Sequence, residues 1–387
     1  MSSTTRAKNQ ARHERDLVQL TNLPTATGRE DRVIAWVKRW AGRRKNVELK
    51  HDRYGNLILK RRGVTSRKPI LFTAHLDHPA FVVTAVEGKT LEAEFRGGVQ
   101  DAYFVGSKVR HYSGNTSTKT SPPGTIRELR PAKPGGFKTV SVEFRQAVAA
   151  KPNDILTWDV GPAQIKAGRL HAPACDDLAG AAAMFAAFGE LLKIYKDDSG
   201  GPDVRLLCTR AEEIGFVGAI AACKSGIIPQ SARLIALENS KSFAESPLGG
   251  GPIVRVGDRT STFDPELTHA VGQVAQALAA KDAAPAPGSH AENFRWQRKL
   301  MPGGTCEASA YQALGYTATC VCLPLGNYHN MNEARTRIER EVIDLADFHG
   351  LVQLLIAIGR TLDDPQATVP LTARLDQLYR DHRSLLV

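Results

Sequence analysis

The chain has 387 residues, enough to bury a sizeable core in one large domain with a smaller one beside it. Hydrophobic residues at 42% and charged residues at 24% exclude a disordered chain, and no apolar run approaches the ~18 residues of a membrane span. The formal charge of +11 is gathered at the start, where residues 1–70 hold 18 Lys and Arg against 6 Asp and Glu, so the remainder is close to neutral.

Met1 to Asp16 is polar and basic and has no apolar core of signal-peptide length, so a cytoplasmic protein is expected. A helical opening over residues 10–44 is broken at Pro24 and Gly28. Arg43-Arg44-Lys45 and Lys60-Arg61-Arg62 are candidate phosphate contacts, but no nucleic-acid module or interleaved aromatics accompany them. They read as a solvated basic face, with steering of acidic peptides a secondary role and nucleic acid not expected as a partner. Tyr54-Gly55-Asn56 turns a hairpin between residues 47–52 and 57–60. The apolar run Pro69-Ile70-Leu71-Phe72-Thr73-Ala74 then reads as a buried strand ending at His75.

Residues 80–168 change character to short β-rich segments separated by Gly, Pro, Ser and Thr, with residues 113–123 as a mobile surface loop. Helix–strand alternation resumes at Asp176-Asp177, ahead of the apolar run 178–185. A strand over residues 204–209 leads into Glu212-Glu213 and a helix over 215–224, and Glu238 follows the apolar residues of IALENS. The Ala/Pro/Gly stretch 283–289 reads as a loop over the pocket, and residues 337–361 as one long amphipathic segment. The architecture expected is α/β: a mixed-sheet catalytic domain with helices on both faces, formed discontinuously by residues 1–79 and 169–387, and a small β-rich domain inserted at 80–168.

His75 and Asp77, Asp176 and Asp177, Glu212 and Glu213, Glu238, and His329 in GNYHNMNE fall where strands give way to loops. Ligand and catalytic groups of an open α/β sheet gather beyond the carboxyl ends of its strands. Two imidazoles with three or four carboxylates suit zinc, cobalt or manganese, and the count exceeds what one tetrahedral ion needs. It fits two ions sharing a bridging carboxylate, the arrangement that activates one hydroxide in metal-assisted hydrolysis. Taken singly, each acidic pair more often marks a solvated helix start, and a lone strand histidine is more often a core residue. The functional reading rests on all five segments occurring together.

In that order the motifs resemble the co-catalytic dinuclear zinc aminopeptidases, most closely their tetrahedral, self-compartmentalising branch with its glutamyl and deblocking aminopeptidases. The stretch LVQLTNLPTATGREDRVIAWVKRW is similar to that family's helix, Gly-turn, helix opening, and the resemblance covers roughly residues 15–362. It implies two divalent ions per chain, zinc first, with His75 and Glu238 completing one site, Glu213 and His329 the other, and Asp176 bridging. Glu212 would be the general base on the metal-bridged water, and Asp77 would hold the far nitrogen of His75. A cis Asp176-Asp177 peptide, an assembly role for the inserted β domain and a homo-oligomer are implied in the same way.

Glu238 stands where the tetrahedral branch usually has aspartate, His78-Pro79-Ala80 replaces an acid-aliphatic-Gly continuation, and Cys306-Glu307 replaces an Asp-Ala-type sequence. The last two segments are expected to line the substrate pocket, with Glu307 a candidate for holding a peptide's terminal ammonium and Arg295, Arg298 and Lys299 in an exposed loop. Cys175, Cys208, Cys223, Cys306, Cys320 and Cys322 form no paired CxxC framework, and Cys175 and Cys306 are expected in the pocket wall. The reading is a metal-dependent aminopeptidase acting on peptides. Its rivals are a carboxypeptidase, dipeptidase or N-acyl deacylase on the same scaffold, a two-carboxylate glycoside hydrolase, which adjacent Glu212 and Glu213 do not suit, and a non-catalytic binding protein.

Overall fold

The computed structural model describes residues 3–196, 201–282 and 294–386; the 283–289 stretch lies outside them. Two helices open the chain, α1 (Ser3–Thr21) and α2 (Asp31–Gly42), separated at Pro24 and Gly28 as the sequence indicates, although α1 begins before residue 10. In α2 Val33, Trp36, Val37 and Trp40 recur at the spacing of one helical face and are buried, with Trp36 and Trp40 5.2 and 5.0 Å from the ring of Phe185. β1 (Val47–His51) and β2 (Leu57–Arg61) form the hairpin, with Gly55 at φ 87° supplying the left-handed turn residue. β3 (Ile70–His75) follows.

The next six strands, β4 (Ala80–Glu87), β5 (Thr90–Arg96), β6 (Lys108–Tyr112), β7 (Gly124–Arg130), β8 (Lys138–Glu143) and β9 (Ile155–Trp158), close into a barrel in the order β4-β5-β8-β7-β6-β9. Phe81, Phe95, Phe104 and Trp158 meet inside it. The 113–123 loop is tied to α2, because Arg32 donates to the carbonyls of Gly114 and Ser117.

Then come β10 (Gln164–Lys166), β11 (Arg169–Ala172), α3 (Leu178–Ile194), β12 (Val204–Thr209), α4 (Val217–Ser225), β13 (Arg233–Lys241), β14 (Ile253–Asp258), α5 (Pro265–Asp282), β15 (Gln297–Met301), α6 (Glu307–Ala313) and β16 (Thr317–Leu325). The chain ends with the small strands β17 (Met331–Asn332), β18 (Arg337–Ile338) and β19 (Glu341–Asp344) and the helices α7 (Leu345–Thr361) and α8 (Leu371–His382). The central sheet runs β1-β2-β12-β3-β13-β16-β14-β15, parallel from β12 to β16 and antiparallel at β2 and between β16 and β14. The expected mixed α/β sheet with a small β-rich part is therefore the observed one.

Alternation along the strands sorts the core into two layers. Phe72, Leu206, Ile235, Leu237 and Val321 join the cluster that packs α1, α2, α3 and α7. Leu71, Leu207, Leu234, Ala236, Cys320 and Cys322 join the cluster under α4 and α6. His75 and Glu238 continue the α4/α6 parity at the carboxyl ends of β3 and β13, and so face the same way.

Two boundaries differ from the sequence reading. Residues 337–361 are two short strands and a helix, since β-branched Val342 and Ile343 pair with β11 and the Asp344 side chain caps α7 by accepting from Ala346 N–H at 2.9 Å. Arg298 and Lys299 lie on edge strand β15 and not in a loop, a placement that charged side chains protect from further pairing.

Glu190 pins α1 to α3. Its buried carboxylate accepts from His13 at 3.1 Å, Asn9 at 3.2 Å, Lys193 at 3.3 Å and the Arg12 guanidinium. Burial works to raise its pKa, but these partners hold it down at about 2. A depressed carboxylate pKa stabilises the fold above the ordinary value and loses that contribution as pH falls toward the folded one. Glu190→Gln is expected to cost about 1–2 kcal/mol at pH 7, the half-exposed lysine being discounted. The deficit in urea unfolding should shrink between pH 4.5 and 2.

Candidate active site

The carboxyl ends of β3, β12, β13 and β16, with the loop entering α3, bring the sequence-predicted residues together. His75, Asp176 and Glu238 form one cluster and Asp176, Glu213 and His329 a second, with the potential ligand atoms of each cluster within 4.8 Å of one another. Asp176 belongs to both: its Oδ1 is 3.4 Å from His75 Nε2 and its Oδ2 3.6 Å from His329 Nε2. Glu213 Oε2 stands 3.3 Å from His329 Nε2. Glu212 is outside this pair of clusters and joins a third with His75 and Glu213, its Oε2 3.9 Å from His75 Nε2. The Asp176-Asp177 peptide is cis.

Local structure aims these groups. Asp77 is fully buried, and its Oδ1 accepts Glu212 N–H at 3.0 Å while its Oδ2 accepts Glu213 N–H at 3.2 Å and the Thr27 hydroxyl at 2.8 Å. His75 Nδ1 lies 3.2 Å from the Asp77 carbonyl and 3.5 Å from Asp77 Oδ1, so Asp77 orients three site residues and not His75 alone. His329 Nδ1 is 2.6 Å from the carbonyl of Gly98 on the barrel side, which requires its proton there and leaves Nε2 facing Asp176 and Glu213. Ala211, His329 and Asn330 hold φ of 51°, 53° and 65°, left-handed values that non-glycine residues adopt only where the surroundings impose them.

The electrostatics lack a positive partner. Burial pushes Glu212, Glu213, Glu238 and Asp177 well above their ordinary pKa values, with the charges of neighbouring carboxylates adding to it. Asp176 is the exception, because its two histidines outweigh burial and hold it well below. Asp176 Oδ1, Glu213 Oε1, Glu238 Oε1 and His329 Nε2 are buried without a hydrogen bond. Among the described residues no lysine or arginine pairs with these carboxylates. Buried anions in such number need cations, and a set of nitrogen and oxygen donors without thiolate fits divalent ions of the zinc, cobalt and manganese type.

Glu341 and Glu30 escaped the sequence reading, and His78, expected in the pocket wall, has a different place. Glu341 is fully buried at the start of β19, and its carboxylate accepts Cys175 N–H at 2.6 Å, Asp176 N–H at 3.1 Å and His329 N–H at 2.8 Å. Burial pushes it up to about 8, Asp176 adding to the effect. Glu30 accepts Ala211 N–H at 3.1 Å and pairs with Arg210 at 2.7 Å, setting the turn before Glu212. His78 joins the Asp176 carbonyl at 2.8 Å to Asn330 Oδ1 at 3.0 Å. The only sequence signal for Glu341 and Glu30 was an acid beside a turn, which surface acids share.

The pocket-wall expectations are revised. Glu307 is 1% exposed, and its Oε2 takes the hydroxyls of Thr73 and Tyr311, both at 3.1 Å, so it lies a layer below His75 and is not presented to a peptide terminus. Cys306 is fully buried at the N-cap of α6, and Cys175 is likewise in the core. His78 turns its ring to Asp176 and Asn330 from behind.

The sequence model of the M42 glutamyl aminopeptidase family matches residues 55–349. Among solved structures, the TET1 peptidase of Pyrococcus horikoshii aligns with a TM-score of 0.70 at 21% identity, over 90% of this chain and 99% of its own. The aminopeptidase of Desulfurococcus kamchatkensis aligns at 0.71 and 21%, over 91% and 95%. The TET aminopeptidase of Thaumarchaeota archaeon SCGC AB-539-E09 aligns at 0.72 and 19%, over 93% and 99%. These likenesses carry the fold, while the match over residues 55–349 carries the kinship: the chain belongs to the M42 glutamyl aminopeptidase family.

Proposed function

We propose that this protein is a dinuclear metal-dependent aminopeptidase that removes N-terminal residues from peptides. The observation that carries the reading is Asp176, whose two oxygens face two histidines in two donor clusters. His75, Asp176 and Glu238 would hold one divalent ion and Asp176, Glu213 and His329 the other, zinc being the first expectation and cobalt or manganese the alternatives. When bound, such ions polarise a scissile carbonyl and make a water acidic enough to attack at neutral pH.

The rest falls to the chain. Glu212 takes the proton of the attacking water at a carboxylate oxygen and returns it to the leaving amine, a role that suits a carboxylate whose basicity burial raises well above the ordinary value. Asp77 fixes the backbone of Glu212 and Glu213, which keeps the base out of the two donor clusters. An arginine or lysine paired into the clusters would suit a C-terminal carboxylate, and among the described residues there is none. The accumulated negative charge suits a peptide's free ammonium instead.

The test is the metal-loaded protein on a panel of free-amino peptides with their N-acetylated and C-amidated forms. Cleavage of free and amidated peptides from the amino end, with the acetylated ones spared, is expected. Cleavage of acetylated peptides from the carboxyl end would replace this reading with that of a carboxypeptidase. The family membership, and six cysteines that are all free, favour a peptidase of a reducing compartment such as the cytoplasm.

Residues 80–168 are proposed as an inserted module for assembly of a homo-oligomer. The closed barrel supports a self-contained unit, and the Pyrococcus relative can assemble into a tetrahedron or a large octahedral shell. Replacing these residues by a short Gly/Ser linker should yield a folded particle of several-fold lower mass by light scattering. An unchanged subunit number in a folded variant would remove the assignment.

A further inference from the structure

Behind the donor clusters lies a cleft of about 660 Å³ that none of their residues lines. It is bounded by the end of α1, by α2, by barrel strands β6 and β9, and by a floor that includes His78 and Asn330. Its volume is that of a small-molecule site. Trp36, Tyr112 and Trp158 supply aromatic wall.

Besides His78, the charged residues that line this cleft are Arg39, Arg110 and Asp159. Arg39 is exposed at its edge and makes no side-chain hydrogen bond or ion pair among the described residues. On the segment leaving β9, Asp159 is held by Arg110 through Oδ1 at 2.5 Å, which leaves Oδ2 without a partner among the described residues. An unpaired guanidinium receives a carboxylate, and a half-used carboxylate receives an ammonium.

We propose that this cleft is a second, non-catalytic site for a free amino acid with an apolar or aromatic side chain, its carboxylate on Arg39 and its ammonium on Asp159. The floor gives the site a route to the clusters. His78 bonds the Asp176 carbonyl at 2.8 Å and Asn330 at 3.0 Å, and Asn330 follows His329 directly in the chain. A ligand pressed on His78 therefore bears on the backbone of Asp176, whose carboxylate both clusters share, and through Asn330 on the backbone next to His329. If the peptidase reading holds, the ligand is of the class the enzyme releases, but the site is argued from its own charges and stands apart from that reading.

Calorimetric titration of the metal-free full-length protein with L-phenylalanine tests the proposal without any turnover. One-to-one binding at millimolar or lower Kd is expected, weakened at least about tenfold for phenylalaninamide and N-acetylphenylalanine, each of which removes one charge. Arg39→Ala and Asp159→Asn should each weaken phenylalanine binding by a similar factor with circular dichroism unchanged, and Thr118→Trp, on the exposed edge of the cleft, should obstruct it. No saturable binding, binding indifferent to both the amide and the acetyl cap, or binding retained in Arg39→Ala and Asp159→Asn would overturn the assignment.

Discussion

Glu212→Gln is expected to abolish turnover, by roughly 10²–10⁴-fold or more, while the protein still takes up about two divalent ions per chain. The amide is isosteric and cannot accept the proton. Glu212 lies outside the two clusters that share Asp176, so its loss leaves their donors in place. Glu213→Gln should do the opposite, because Glu213 Oε2 sits 3.3 Å from His329 Nε2 within the second cluster. Occupancy there should fall at metal concentrations that saturate the native protein. Metal analysis after dialysis, paired with single-turnover rates, separates the two. Loss of metal from the Glu212 variant with retention in the Glu213 variant would reverse the assignment.

The second large effect is expected at Glu341. Glu341→Leu removes the acceptor for three buried N–H groups at Cys175, Asp176 and His329. Each orphaned donor costs on the order of 1 kcal/mol or more, and relief of the buried carboxylate offsets part of the total, so about 3 kcal/mol is expected in urea unfolding of the metal-free protein. Metal affinity should fall about 10–100-fold as Asp176 and His329 lose their backbone anchors. Glu341→Gln keeps one acceptor oxygen and should give roughly half the loss of stability. Equal effects of Leu and Gln would mean that the N–H groups find other acceptors.

What the sequence disclosed and what it hid follow one physical divide. His75, Glu212, Glu213 and Glu238 were legible because each ends or follows a strongly apolar run, and strand ends are where an α/β sheet places its chemistry. The barrel was legible as a change of composition. The roles of Glu341, Glu30 and His78 were not, since their work is to hold backbone amides or carbonyls from distant segments, and hydrogen bonding to a backbone leaves no mark in residue type or period. Glu307 was misjudged for the reverse reason. An acid beside a glycine turn looks exposed, and only the packing of α6 on β13 and β16 shows it enclosed with Thr73 and Tyr311.

The strand order also sets a timetable for the growing polypeptide. β3 carries His75, the first of the two cluster histidines, yet its neighbours in the sheet are β12 and β13, which leave the ribosome only after the whole barrel has been made, and β16 comes later still. A nascent chain therefore displays its acidic side chains one segment at a time, in stretches too far apart to chelate anything. All six barrel strands lie within residues 80–158, so every pairing the barrel needs is present while the sheet still waits for its middle strands. The pocket that gathers the two donor clusters is complete only once His329, in the last third of the chain, has been made, and it forms through pairings between segments far apart in sequence.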